Sequence, residues 1–338
     1  MRALAASFVS LLCIPAPNWS SAQEKEPLGH PLVATQEGKL PIILSAPHGG
    51  LAAIPGVPER TGEGLPKGPS GFFTGRDVGT EQLAYALAAA IEAKMGKKPY
   101  LVAAKFHRKY TDANRPPEIA FEHPKAKVVY AAYHDTLARY CRNVRNTYGR
   151  GLLLDLHGQG TAKDTVFRGT KDGKTVTLLI ERFGEKAHNG PRSFFGLMAR
   201  EGMKIHPEDG GKERAGFTGG YIVQTYGSHK GFKIDAIQLE FGGDYRAKDK
   251  VKDTAARVAA VVANFAKLYL EGELPKKQDA SCVMATAFQA AEAPPVPLVS
   301  SVPRLSPEQV LPIACALQDC RCLPARPPHA RPGAFPSE

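Results

Sequence analysis

Between Pro41 and about Glu273 the chain alternates short apolar runs with longer segments whose apolar residues recur at helical spacing. The runs "PIILSAPH", "PYLVAAKF", "GLLLDLH", "GYIVQTYG" and "DAIQLEF" are bounded by Gly, Pro or Asp and predict buried strands. Leu83, Leu87, Ile91 and Met95 fall every four residues and predict a helix over 77–95, stopped by Gly96. A second helix is predicted over 127–148, with Val128, Ala131, Ala132, Leu137, Tyr140 and Val144 as core positions. A third is predicted near 190–201, and a last over 249–270 on the stripe Val251, Ala255, Val258, Val262 and Phe265. "DTVFRGTKDGKTVTLLI" predicts a β-hairpin turning at Asp172-Gly173. The Gly/Pro-rich stretch from Gly50 to Gly75 predicts a long loop, and "DANRPPE" a turn that its prolines stiffen. Strands alternating with helices predict an α/β fold, a three-layer α/β/α domain with a mixed sheet over residues 41–276.

Both ends break this pattern. Arg2 precedes an apolar stretch from Ala3 to Ile14, which is too short to span a bilayer, and Ser20-Ser21-Ala22 follows. Residues 1–22 therefore predict a signal peptide and a secreted or periplasmic location, with 23–40 as a linker. No later stretch is apolar over about eighteen residues, so no stable membrane insertion is predicted. Residues 277–338 are rich in Pro, Ala and Arg without sustained periodicity, which predicts a disordered tail. Cys13 leaves with the signal, and Cys141 sits in a predicted helix. Cys282, Cys315, Cys320 and Cys322 lie in the tail without zinc-ribbon spacing. The formal charge of +11 would draw an acidic substrate or an anionic surface. No nucleic-acid motif accompanies it, so no nucleic-acid partner is predicted.

The candidate chemistry sits at segment ends. In "LLLDLHGQ", Asp155 and His157 are two apart on a strand and share a face, with Leu154 and Leu156 opposite. A carboxylate beside an imidazole fixes the tautomer and orientation of the ring, as around metal-bound histidines. His48 also ends an apolar run at a Gly turn, Asp77 opens a helix, and Glu240 ends "DAIQLE". Two His and one carboxylate form a known catalytic zinc shell, and a further carboxylate can carry protons. Asp77 is equally placed as a helix N-cap, with Glu81 as the substitute ligand. Asn114 and Arg115 adjoin in the stiffened turn, where an Arg fork can bind a carboxylate. His107, His123, His134, His188, His206 and His329 have polar neighbours and read as surface residues, and His229 as a loop residue.

In that order, "SAPHGG", "RDVGTEQL", "TDANRPPE", "LLLDLHGQG", "GFTGGY" and "AIQLEFGGDYR" resemble the N-formylglutamate amidohydrolase family of the zinc carboxypeptidase-like superfamily. The resemblance covers roughly residues 40–270. It implies a phosphorylase/hydrolase-like α/β/α fold and one Zn2+ ion held by His48, Asp77 and His157. It also implies Glu240 as general acid/base and Asn114 with Arg115 as a carboxylate anchor. The carboxypeptidase relatives usually carry a close His-x-x-Glu pair. Residue 51 here is leucine, so the carboxylate ligand must come from elsewhere. The signal peptide is a second departure and points to an external peptide, N-acyl amino acid or glutamyl polymer as substrate.

The resulting expectation is a metal-dependent hydrolase acting on an amide bond in a small-molecule or peptide substrate with a free carboxylate. Arg60 or Arg246 would stabilise the oxyanion, and Gly219, Gly220 and Tyr221 would line the pocket. A metal-free serine hydrolase using Ser45 or Ser228 is disfavoured, because no G-x-S-x-G elbow occurs. The rival from another class is a secreted binding protein for acidic ligands on the same fold.

Overall fold

Strands form where the apolar runs end in turns, and two short edge strands join them. In chain order they are β1 (Val33–Gln36), β2 (Ile42–Ala46), β3 (Tyr100–Ala104), β4 (Leu152–Gly158), β5 (Thr165–Gly169), β6 (Lys204–His206) and β7 (Asp235–Phe241). The helices are α1 (Thr80–Met95), α2 (Pro117–Ala120), α3 (Pro124–Tyr148), α4 (Thr177–Phe183), α5 (Lys186–Asn189), α6 (Phe194–Arg200), α7 (Tyr221–Tyr226), α8 (Gly243–Arg246) and α9 (Val251–Phe265), with a π turn at Ala266–Leu270. This computed structural model describes residues 29–271 except 64, 66–71 and 209–210. The described residues belong to one compact unit. The predicted signal segment, most of the linker and the predicted tail lie outside the described residues.

The sheet order is β1-β3-β2-β4-β7-β5-β6. The central strands β3, β2, β4 and β7 run parallel, whereas β1 and β5 pair antiparallel to their neighbours β3 and β7. The sheet is therefore mixed, as predicted. One face carries Ile42, Leu44, Leu152, Leu154 and Leu156 against α1, α6 and α9. The other carries Ile43, Val102 and Leu153 against α3 and α7. The chain leaves β2 toward β3 on one side and returns to β4 on the other. That puts a topological switch point at the C-terminal ends of β2 and β4, where open α/β sheets bind ligands.

Two predicted strands are helices instead. The second arm of the expected hairpin forms a 3-10 turn at Lys174–Val176 and then α4. "YIVQTY" is α7, with Ile222, Val223 and Tyr226 buried on one side. Both stretches are short and β-branched, so local preference favours strand and tertiary packing overrides it. The core stripe of α3 is as predicted from Leu137 on but shifted by one residue in its first half. Val128 is 60% exposed, and Ala126, Val129, Tyr133, Leu137, Tyr140 and Val144 face the sheet. Cys141 is buried on the same stripe as a free thiol. Among the described residues no helix is long and apolar enough to cross a membrane.

Asp235 opens β7 in the interior, and burial pushes it up to about 6 despite the Ser228 hydroxyl and the Leu179 N–H. Its folded value lies above the unfolded one. Its stabilising contribution is therefore present below about pH 4 and lost as pH rises through about 6. Asp235→Asn is thus expected to gain stability relative to wild type between pH 4 and pH 8. The gain is at most about 3 kcal/mol from the size of the shift. Urea unfolding of both proteins at the two pH values checks it.

Candidate metal centre

On the sheet face toward α3 the side chains turn from apolar to polar toward the strand ends. β2 presents Ile43 then Ser45; β4 presents Leu153, Asp155 and His157; β7 presents Ala236, Gln238 and Glu240. The parallel register sets Ser45 beside Asp155, Asp155 beside Gln238 and His157 beside Glu240. Asp155 and His157 share this face, as their spacing predicts.

His48 lies just beyond β2, and its ring meets that of His157. The two Nδ1 atoms are 3.1 Å apart, and Asp77 Oδ2 is 3.4 Å from the first and 3.3 Å from the second. All three side chains are buried. The far nitrogens are engaged too. Nε2–H of His48 donates to Asp112 Oδ1 at 2.7 Å, and Nε2–H of His157 to Asp155 Oδ2 at 2.8 Å. A carboxylate only accepts, so each one assigns the proton to Nε2 and leaves a lone pair on Nδ1. Two lone pairs and a carboxylate oxygen then face one another, an arrangement that calls for a cation between them. Neutral imidazoles oriented by carboxylates, completed by an Asp, fit a divalent metal.

Asp77 is built into this group rather than into a cap. The N-cap of α1 is Gly79, which has no side-chain cap bond. The Asp77 N–H donates to His48 O at 3.0 Å, and its Oδ2 accepts the Gly158 N–H at 3.0 Å. Burial raises its pKa, but the facing imidazoles of His157 and His48 outweigh this and hold it well below the usual carboxylate range. Glu81 instead accepts the Tyr85 hydroxyl at 2.9 Å and does not join the group. Burial opposes charge on His157, yet Asp155 outweighs it and raises its pKa well above normal, so a proton and a metal ion would compete for its Nδ1.

Asp112 is a site residue that the sequence reading did not single out. It accepts from His48, from the Asn114 N–H at 2.9 Å and from Arg108 at 2.5 Å. Burial works against its charge, while Arg108 and His48 bring its pKa well below normal. Ser45 donates to Asp155 Oδ1 at 2.7 Å and meets the Tyr133 hydroxyl at 2.8 Å, so it supports a ligand's partner. Loosening one such carboxylate should weaken metal binding without removing a ligand. Asp155→Asn is expected to lower zinc affinity about 10- to 100-fold in a competitive chelator titration.

A cavity of about 510 Å³ opens onto the centre. His48, Asp77, His157, Glu240, Asn114 and Arg115 all line it. Glu240 is buried and accepts from Gln238 Nε2 at 2.7 Å. Burial, against the charge of His157, pushes it up to about 7, so it can take or release a proton near neutrality. Arg115 donates to its neighbour's carbonyl, Asn114 O, at 2.9 Å. Asn114 is committed to the protein: its Oδ1 accepts the Ile222 N–H at 2.8 Å, and its Nδ2 donates to Gln238 Oε1 at 3.5 Å. The Gly220 N–H donates to Gln238 Oε1 at 2.7 Å, and a Cβ at Gly220 would overlap the Asn114 carboxamide. Lys171, Arg108 and Gln238 also line the cavity, and the sequence reading missed all three. The period-two step from Gln238 to Glu240 was a usable signal for Gln238.

The two expected oxyanion residues donate to backbone carbonyls. Arg60 donates to Arg108 O at 2.7 Å and Phe73 O at 3.2 Å, so its guanidinium holds loop backbone. Arg246 donates to the carbonyls of Phe241, Val78 and Gln159. Neither lines the cavity, and Tyr221 does not either. Tyr221 packs its ring against His134, with centroids 5.6 Å apart. His134 and His188 are not surface residues. Burial pushes His134 down to about 4 and His188 to about 3. His134 instead bridges the Tyr226 hydroxyl at 3.0 Å and Ala113 O at 2.9 Å. Ser228 bonds Thr175 O and the Leu178 N–H, away from the two site imidazoles. His329 lies outside the described residues.

No family model matches the chain, and no curated protein matches its sequence. Among solved structures, N-formylglutamate amidohydrolase from Ralstonia eutropha JMP134 is similar at 14% identity, covering 70% of this chain and 97% of that one, with TM-score 0.46. Succinylglutamate desuccinylase from Chromobacterium violaceum is similar at 15% identity, over 70% of this chain and 66% of that one, with TM-score 0.33. An N-acetylmuramyl-L-alanine amidase from Mycobacterium smegmatis is similar at 10% identity, over 67% and 97%, with TM-score 0.30. Function is therefore read from the geometry of the site.

Proposed function

We propose that the chain is an exported zinc-dependent amidohydrolase that cleaves an amide bond in a carboxylate-bearing substrate, such as an N-acyl amino acid or a glutamyl peptide. One observation carries the proposal: two carboxylate-oriented imidazoles and Asp77 converge in a cavity that Glu240 and Arg115 also line. His48 Nδ1, His157 Nδ1 and Asp77 Oδ2 would hold the ion. Bound there, zinc lowers the pKa of a water toward neutrality and polarises a carbonyl.

The other roles belong to the chain's own residues. Glu240 takes a proton from the attacking water and returns it to the departing nitrogen. Arg115 forks onto the substrate carboxylate and orients the scissile bond. Asn114 fixes the turn that carries Arg115. Arg108, which faces the cavity beside Asp77, takes the oxyanion role expected of Arg60 or Arg246.

The test is a hydrolysis screen of zinc-loaded protein on N-acyl amino acids, peptides and poly-γ-glutamate, each acyl amino acid with a free and an amidated carboxyl. Arg115→Met is expected to cost at least about tenfold more in kcat/KM on the free acids than on the amides. Equal losses on both would refute the anchor. A zinc-loaded protein that turns over nothing in the screen would favour the binding-protein reading.

A further inference from the structure

Part of the cavity wall is aromatic. Four of the six large hydrophobic side chains exposed among the described residues lie between residues 51 and 78. Two of them, Phe72 at 42% and Phe73 at 55% exposed, line the cavity itself. An exposed apolar pair beside a buried charged site has a cost in water that only an occupant relieves.

These rings are held in place. The Arg60 guanidinium lies 4.9 Å from the Phe72 ring centroid, and that of Arg108 lies 5.1 Å from the Phe73 centroid. Gly62 and Gly75 abut the same two rings where any Cβ would crowd them. Arg60 also donates to Phe73 O, and Arg108 pairs with Asp112. The guanidinia of Arg60 and Arg108 thus tie the aromatic wall to the metal centre. A third ring, Phe217, lines the cavity from another loop and stacks edge-on with Phe167 at 5.2 Å.

We infer that Phe72 and Phe73 form an acyl subsite for a large apolar acyl group, so that the substrates are N-acyl amino acids with a medium-chain or aromatic acyl moiety. The inference rests on the proposed amidohydrolase reading and adds its substrate class. Arg115 takes the carboxylate of the amino acid and the metal centre takes the scissile carbonyl, so the exposed rings in the same cavity are the apolar lining left for the acyl group. Formyl or acetyl groups would leave the rings uncovered.

The experiment measures kcat/KM of zinc-loaded wild type on one amino acid carrying formyl, acetyl, butanoyl, hexanoyl and benzoyl groups. The expected result is a rise of about threefold per added methylene, the size expected for partial burial of each one, with benzoyl among the best substrates. Phe73→Ala and Phe72→Ala should each cut the hexanoyl-to-formyl ratio about tenfold. Val128→Ala, on an exposed helix face, should leave the ratio unchanged. A flat or falling series in wild type, or a ratio unmoved in both Phe variants, overturns the subsite while the hydrolase reading stands. Absence of turnover on every member overturns both.

Discussion

Glu240→Gln is expected to lower kcat by about three orders of magnitude, within the range for losing a positioned acid and base, with zinc content unchanged. The glutamine has nearly the same shape and can keep a partner in Gln238, which Glu240 bonds at 2.7 Å. It cannot take a proton. Glu240 is none of the three converging donors, so the ion should remain bound. The variant should also lose the acidic limb of the kcat/KM profile. In wild type that limb rises with pH as Glu240, pushed up by burial, gives up its proton and becomes a base. Steady-state kinetics with elemental analysis of the same sample decides the matter. Near-wild-type turnover, or parallel loss of zinc and activity, would remove Glu240 from the chemistry.

The second large effect is on the metal. His157→Ala is expected to abolish stoichiometric zinc and, with it, turnover. The substitution deletes one of three donors and also strands Asp155, a buried carboxylate whose Oδ2 bonds only that ring in this site. An unpaired buried charge destabilises the fold as well. For that reason His157→Ala/Asp155→Ala is the companion variant, since it removes the stranded charge. Both should fold by circular dichroism and bind less than a tenth of an equivalent of zinc. A folded variant that holds a full equivalent would show that the ion lies elsewhere.

The strands that form the centre were legible because they are short apolar runs ending in Gly turns, and a two-residue period put Asp155 and His157 on one face. The stop of α1 at Gly96 was legible for a similar local reason: a left-handed glycine closes the helix. The pairings that need distant chain segments were not. Asp112 reaches His48 across 64 residues, and Arg108 becomes a site residue only because that same loop folds back over β2. Arg60 and Arg246 read as candidate oxyanion partners, whereas their guanidinia donate to backbone carbonyls. α7 and α4 were lost to β-branched composition, which cannot register that helices there cover the sheet. Asp77 shows the opposite case. Cap and ligand were both open readings of the same position, and Gly79 taking the cap leaves the carboxylate for the imidazoles.

The most direct test is an anomalous difference map at the zinc edge, from crystals of protein that has never met a chelator. The expected result is one strong peak per chain, about 2 Å from Nδ1 of His48, Nδ1 of His157 and a carboxylate oxygen of Asp77. No peak between those atoms, or a zinc bound only at other residues, would contradict it.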